Sequence, residues 1–374
     1  MKKWNKQNQN SRIEIKKLED EDFDEMDDCE TELNIIEESH KLSEDELESF
    51  IQAKLKHKDA SPGKKSRETS KFRDMVLNKV PDKSRGNIWR AISRNPASIS
   101  QDYYQLLVAK GERIGDIIMK KAAIEKTGQP EHDSEYLRSK IEYNLMVMKP
   151  GVSQEESIVI IENDLPRTFT TLEFYNQSTE EGISHISQLR KILRAFTVMR
   201  PDIGYVQGMS YIAGFLLMEN NEYQTFVLFH NLIIKSQILS FYKFKADDII
   251  QRLKFFRQAF FEELPDLWEY FEEEKIDPRS YIYEWIMTLY TRALPVNVAK
   301  RVWDLFFIDG FPLLFKTALA ILKIIKDRIL YSDLSEVMNT LKGTQAIIWN
   351  EDLLFNTIEE VKLPKWVYEQ IKDL

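Results

Sequence analysis

From Ile183 onward the apolar residues of this chain return every three or four positions, segment after segment. In "ISHISQLRKILRAFTVM" the stripe is Ile183, Ile186, Leu189, Ile192, Leu193 and Phe196, the pattern of one buried face of an α-helix. "RPDIG" interrupts it, and "YVQGMSYIAGFLLM" then opens a segment apolar on nearly every side, which predicts a helix at the centre of the fold. "EYQTFVLFHNLIIKS", "DDIIQRLKFFRQAFFEELPDLWEYFEEE", "PRSYIYEWIMTLYTRALP", "NVAKRVWDLFFIDG" and "FPLLFKTALAILKIIKDRIL" carry the period onward through short connections. The chain has only 12 Gly and 12 Pro in 374 residues, too few for a fold of many short strands and tight turns. The expected fold class is all-α, a single large helical domain.

Upstream the pattern is thinner. "KFRDMVLNKVPDKSRGNIWRAIS" predicts a helix, a proline break, and a second helix from about Arg85–Gly86 that carries Ile88, Trp89 and Ile92 on one face. "EKTGQPEHDS" reads as a loop. The run Ile158 to Ile161 fits a short strand or a buried helical turn, and periodicity does not separate the two. The helical domain is expected to occupy residues 71–374. Residues 1–70 read as an acidic extension and basic linker, largely disordered. Within them "LEDEDFDEMDDCETE" is too self-repelling to pack and lacks the glycine of a calcium loop. "KLSEDELESFIQAKLK" has Ser43 and Glu46 at capping-box spacing for a short helix.

Charge and motif inventory exclude several function classes. Net charge is −9, and residues 1–60 hold 10 basic against 18 acidic side chains, so the body of the chain is close to neutral. Nucleic acid is therefore not an expected partner, because phosphate backbones select a strong basic excess. The single cysteine, Cys29, rules out a disulfide within the chain and a thiolate metal site. "MKKWNKQNQN" is basic without the apolar core of a secretory signal, and no window is apolar enough to span a bilayer, so a soluble cytoplasmic protein is expected. Phosphate-loop, dinucleotide-binding, zinc-protease and serine-elbow motifs are all missing. The five histidines lack ligand spacing, and no carboxylate pair is marked out for acid–base work. The sequence does not describe an enzyme with a self-contained active site.

Two side chains stand out. In "IENDLPRTF", which reads as the first turn of a helix, Arg167 follows Pro166, which presets the backbone, and Asp164, placed to cap the turn or brace the arginine. A free guanidinium there can grip a phosphate in a forked geometry that lysine cannot copy. In "GYVQGMSYIAGFLL", Gln207 has an amide that donates and accepts at once, which suits it to orient a water, and Gly204 and Gly208 leave room for another backbone. The plainer alternatives are a surface ion pair for Arg167 and a backbone-satisfied polar residue at the core edge for Gln207.

Taken together these residues resemble the TBC domain, the family of Rab GTPase-activating proteins, from about Phe72 to the end of the chain. Ile161, Asp164 and Arg167 match the family's Ile-x-x-Asp-x-x-Arg motif and are followed by Thr168; Tyr205, Gln207, Gly208 and Met209 match Tyr-x-Gln-Gly-Met. Arg85, Gly86 and Trp89 match Arg-Gly-x-x-Trp, and "RVWDLFFIDGFPLLFKTALAIL" is similar to the downstream helical signature. Val206, Ser210 and Asp309 depart from the family's more frequent cysteine, asparagine and glutamate, and none of these removes a catalytic side chain.

The resemblance implies a function. Arg167 and Gln207 would reach in trans into the nucleotide site of a GTP-bound Rab, as an arginine finger and a glutamine finger that stabilise phosphoryl charge and orient the attacking water. Arg85 is the competing finger, and its neighbours assign it a structural role at a helix start. The chain would need no cofactor of its own, since the GTPase holds GTP and Mg²⁺. Membrane contact would be at most peripheral, through the Rab, which makes the expected location cytoplasmic or peripheral at endomembranes. The alternative is a non-catalytic Rab-binding scaffold on the same fold.

Overall fold

Prolines and short polar breaks cut the apolar stripes into helices much as the periodicity predicts. A computed structural model describes residues 67–125, 154–235, 238–242 and 246–373, and within them every regular element is helical. The acidic extension, its capping-box segment and most of the predicted loop after Glu125 lie outside the described residues. Arg67–Asn78 (α1) and Asp82–Ser93 (α2) are separated by Pro81. Gln101–Glu125 (α3), Gln154–Asp164 (α4) and Glu180–Met199 (α5) follow. The run Ile158 to Ile161 is thus helical: Ile158 and Ile161 are buried one turn apart inside α4. Helix α2 starts three residues earlier than expected, at Asp82 behind Pro81.

Met209–Leu217 (α6) is the predicted central helix, with eight of its nine residues buried. It is followed by Glu222–Lys235 (α7), the single turn Leu239–Tyr242 (α8) and Ala246–Glu263 (α9). Pro265–Glu273 (α10), Arg279–Met287 (α11), Val296–Asp309 (α12) and Pro312–Leu330 (α13) come next. Leu334–Lys342 (α14), Glu351–Glu360 (α15) and Lys365–Asp373 (α16) end the described chain. Capping side chains appear where a break is not proline: Thr179, Asp333 and Asn350 accept from the backbone N–H three residues on, opening α5, α14 and α15.

Helix α5 is the hub of the first half and packs on α3, α4, α6 and α7. Its stripe is not buried throughout, because Ile183 lies in the first turn and is 55% exposed, while Leu189, Ile192, Leu193 and Phe196 are enclosed. Helix α13 is the second hub and packs on α9, α10, α11, α12, α14, α15 and α16. Helix α12 joins the halves by touching α1, α2 and α13. Arg73 of α1 pairs with both Asp309 at the end of α12 (2.7 Å) and Glu359 of α15 (2.6 Å). Among the described residues no helix is long and apolar enough to cross a membrane.

One buried carboxylate locks α2 onto α12. Asp304 is fully enclosed and accepts from Arg85 Nε (3.1 Å to each oxygen) and from Trp89 Nε1 (2.9 Å). Burial pushes its carboxyl up to about 6, against the pull of Arg85 and Trp89 toward the ionised form. Arg85 also pairs with Asp82 and donates to the Val80 carbonyl at 3.1 Å. The Trp89 ring lies among Phe215, Trp303 and Phe307, at 6.2, 5.5 and 5.5 Å. Gly86 permits the close approach, since a Cβ there would stand 2.1 Å from the Glu219 carbonyl oxygen.

Removing the acceptor leaves the buried Arg85 Nε–H and the Trp89 indole N–H without a partner. Asp304→Ala is therefore expected to destabilise the fold by about 3–5 kcal/mol, seen as a lower urea midpoint at unchanged slope. Asp304→Asn, which keeps an acceptor for Trp89, should fall between it and the parent.

Candidate functional site

Pro166 decides how α4 ends. A proline has no N–H to give and its ring crowds the preceding turn, so the helix stops at Asp164 and tightens into a 3₁₀ turn over Leu165–Arg167. Arg167 thus stands at the exit of a helix, not in the first turn of one as the sequence suggests, and Asp164 makes no capping bond. The turn closes with the Thr168 N–H donating to the Leu165 carbonyl at 3.2 Å. Phe169 follows with φ of +51° and buries its ring edge-on to Tyr211, 5.0 Å away.

The second turn comes from Gly204 to Met209. Gly204 and Gly208 have φ of +66° and +100°, a region costly for any residue with a side chain. At Gly208 conformation favours the glycine, and within the chain the nearest atom to a Cβ built there is Thr288 Cγ2 at 3.7 Å. Met209 is fully buried and its sulfur accepts from the Val206 N–H at 3.4 Å. Gln207 is lifted into solvent, and among the described residues its amide has no hydrogen-bond partner.

Asp164 ties the two turns together. Its side chain is 2% exposed, and Oδ1 accepts from Arg167 Nε at 3.0 Å and pairs with Nη2 of the same guanidinium. Its other oxygen accepts from the Tyr205 hydroxyl at 2.7 Å and from the Gly208 N–H at 3.4 Å. Burial, reinforced by the Asp164 charge, pushes the Tyr205 hydroxyl well above its ordinary range, so it remains a donor. The Ser210 N–H donates to the Tyr205 oxygen at 3.2 Å. Thr168 donates its hydroxyl to the Asp164 carbonyl at 2.8 Å and lies 2.8 Å from the Ser210 hydroxyl. Ile161, fully buried, sits one helical turn behind Asp164 and fixes α4 in the core.

These turns form one side of a cleft of about 770 Å³. Asp164, Arg167, Tyr205, Gln207 and Gly208 line it, with Ile160, Ile203 and Val206 beside them. The facing wall comes from Tyr242 of α8 and from the end of α11: Tyr283, Glu284, Met287, Thr288 and, just beyond, Arg292. Arg292 pairs with Glu284 at 2.6 Å and lies over the Tyr211 ring at 5.1 Å. No local sequence signal marks this wall, because its residues carry no motif and are brought to the cleft only by packing. Arg85 and Trp89 are not in the cleft; Asp304 holds them in the core. The arginine side chain of Arg167 is 55% exposed, so the cleft offers a forked cation and a free amide to whatever docks.

Comparison with known proteins places the helical region in a family. The family model of the Rab-GTPase-TBC domain matches residues 82–330. The chain is 30% identical over 300 residues to TBC1 domain family member 12 of Xenopus tropicalis, covering 79% of this chain and 40% of that protein. It is 31% identical over 257 residues to TBC1 domain family member 14 of Homo sapiens, covering 69% of this chain and 34% of that one. The match therefore spans less than half the length of either relative. Among solved structures, the Chlamydomonas flagellar RabGAP TBC domain superposes with a TM-score of 0.58 at 21% identity, covering 89% of this chain and 92% of that chain. The Ypt/Rab-GAP domain of Gyp1p superposes with a TM-score of 0.55 at 16% identity, covering 86% and 99%. With the family model spanning most of the described helical region, the chain belongs to the TBC-domain family of Rab GTPase-activating proteins.

Proposed function

We propose that this chain accelerates GTP hydrolysis by a GTP-bound Rab-family GTPase, with Arg167 as arginine finger and Gln207 as glutamine finger, both supplied in trans. The observation that carries the reading is the convergence of two exposed side chains from separate turns on one cleft, both turns held by the single carboxylate of Asp164. A guanidinium with a fixed base can place its fork on the oxygens of a transferring phosphoryl group. The unpartnered Gln207 amide is free to accept from a water and donate to a phosphate oxygen together, which orients the nucleophile. GTP and Mg²⁺ belong to the GTPase in this reading, and the chain reaches membranes only as far as its Rab does.

An arginine supplied in trans is worth on the order of 10³–10⁵ in rate, or roughly 4–7 kcal/mol of barrier. Arg167→Ala is expected to remove the stimulation while leaving the fold intact, in single-turnover hydrolysis against a panel of GTP-loaded Rabs. Arg167→Lys should do nearly the same, because the charge stays and the fork is lost. A full rate in Arg167→Ala would refute the assignment. Stimulation absent from the parent chain, with binding to a GTP-loaded Rab retained, would favour a scaffold role instead.

Gln207→Ala should cost a comparable factor, and a Rab whose own switch glutamine has been replaced should still be stimulated by the parent chain. Asp164→Asn keeps the shape and loses the charge that braces Arg167. We expect it to lower the saturating rate by roughly 10–100-fold, about the loss of one charge-assisted bond, while Rab binding measured by titration changes far less.

A further inference from the structure

The backbone carbonyls of the arginine-bearing turn are taken up one after another. The Asp164 carbonyl accepts from the Thr168 hydroxyl (2.8 Å), Leu165 from the Thr168 N–H (3.2 Å), and Pro166 from Gln177 Nε2 (3.3 Å). The carbonyl of Arg167 itself accepts from the Tyr211 hydroxyl at 2.8 Å. The first two of these bonds lie within the turn and the third is a long contact at the surface. Only the bond from Tyr211 joins the peptide that bears the guanidinium to a different helix.

Tyr211 also reaches the other turn. It lies in the first turn of α6, and its N–H donates to the Gly208 carbonyl at 3.1 Å, one residue beyond Gln207. Two contacts restrain its ring. Phe169 meets it edge-on at 5.0 Å, and the Arg292 guanidinium, paired with Glu284, lies over it at 5.1 Å. Burial pushes the Tyr211 hydroxyl up, more than Arg292 and Arg167 draw it down, so it stays a donor at neutral pH.

We propose that Tyr211 is a positioning residue for Rab-stimulated hydrolysis: its hydroxyl fixes the Arg167 peptide, and its ring, in contact with Phe169 and Arg292, sets where that peptide sits relative to Gln207. The inference rests on the finger reading above. Asp164 restrains the far end of the arginine side chain and Tyr211 restrains its base, so the guanidinium is held at both ends before the GTPase arrives. Small displacements of a group that stabilises a transition state are costly in rate and nearly silent in ground-state affinity. The effect of losing the hydroxyl therefore belongs in the chemical step.

The test uses the full chain and a Rab that it stimulates. Tyr211→Phe keeps the ring contacts with Phe169 and Arg292 and removes only the donor. The saturating single-turnover rate is expected to fall roughly 5- to 30-fold, the scale of one hydrogen bond plus a small misplacement. The half-saturating concentration, the affinity for the same Rab loaded with a non-hydrolysable GTP analogue, and the thermal midpoint should stay near parental values. An unchanged rate would overturn the proposal. So would a loss that appears as weaker Rab binding, which would make the hydroxyl a docking contact, or as a lowered midpoint, which would make it part of the fold alone. Arg167→Ala, run alongside, separates the failures. If it keeps the parental rate, or if no Rab is stimulated, the finger reading falls and this inference with it; if it abolishes stimulation while Tyr211→Phe does nothing, only this inference falls.

Discussion

The carboxylate of Asp164 is the interaction on which the cleft depends. It is enclosed, charged, and bonded on both oxygens, to Arg167 on one and to Tyr205 and Gly208 on the other. A buried carboxylate without partners is strongly unfavourable, and here three donors share the task of satisfying it. The consequence is geometric. Two turns some forty residues apart in sequence cannot move independently, because both close on one acceptor. The helix that ends at Asp164 is anchored by Ile158 and Ile161, so the acceptor is set by the core and the exposed side chains are set by the acceptor.

A second buried carboxylate has a different task. Asp304 joins α2 to α12 through Arg85 and Trp89 and lies outside the cleft. The two arginines that the sequence singles out, Arg85 and Arg167, have different surroundings. Arg85 is 2% exposed and its guanidinium meets Asp304, Asp82 and a backbone carbonyl. Nothing from outside could reach it without dismantling the contact between the halves of the domain. Arg167 spends its donors on a single carboxylate and keeps an open face.

Much of this was legible in the residues alone. Helical periodicity identified the all-α class and α6 as the enclosed central helix, and the spaced motifs around Arg85, Arg167 and Gln207 carried the family resemblance. Local chemistry misjudged the turn at Arg167, because a proline after an acidic residue signals a helix start and a helix exit equally, and only the packing of α4 shows which. It misjudged Ile183, whose place on the stripe says nothing of whether the helix end is covered. At Gly208 the structure adds a reason the sequence does not show, a backbone angle that favours glycine. The facing wall of the cleft was invisible: Tyr242, Glu284, Thr288 and Arg292 belong to no motif, and no spacing rule links them to Arg167.

The pairing of Arg167 with Asp164 has a meaning for the molecule at rest. A bare guanidinium on an open cleft would be a general anion trap, drawing free nucleotide, phosphate and acidic peptides from the surroundings. Here an internal counter-charge already occupies part of its fork. Any anion must compete with a neighbour that is covalently fixed in place. The same carboxylate that aims the arginine thereby keeps it quiet, and selectivity begins before any partner is recognised.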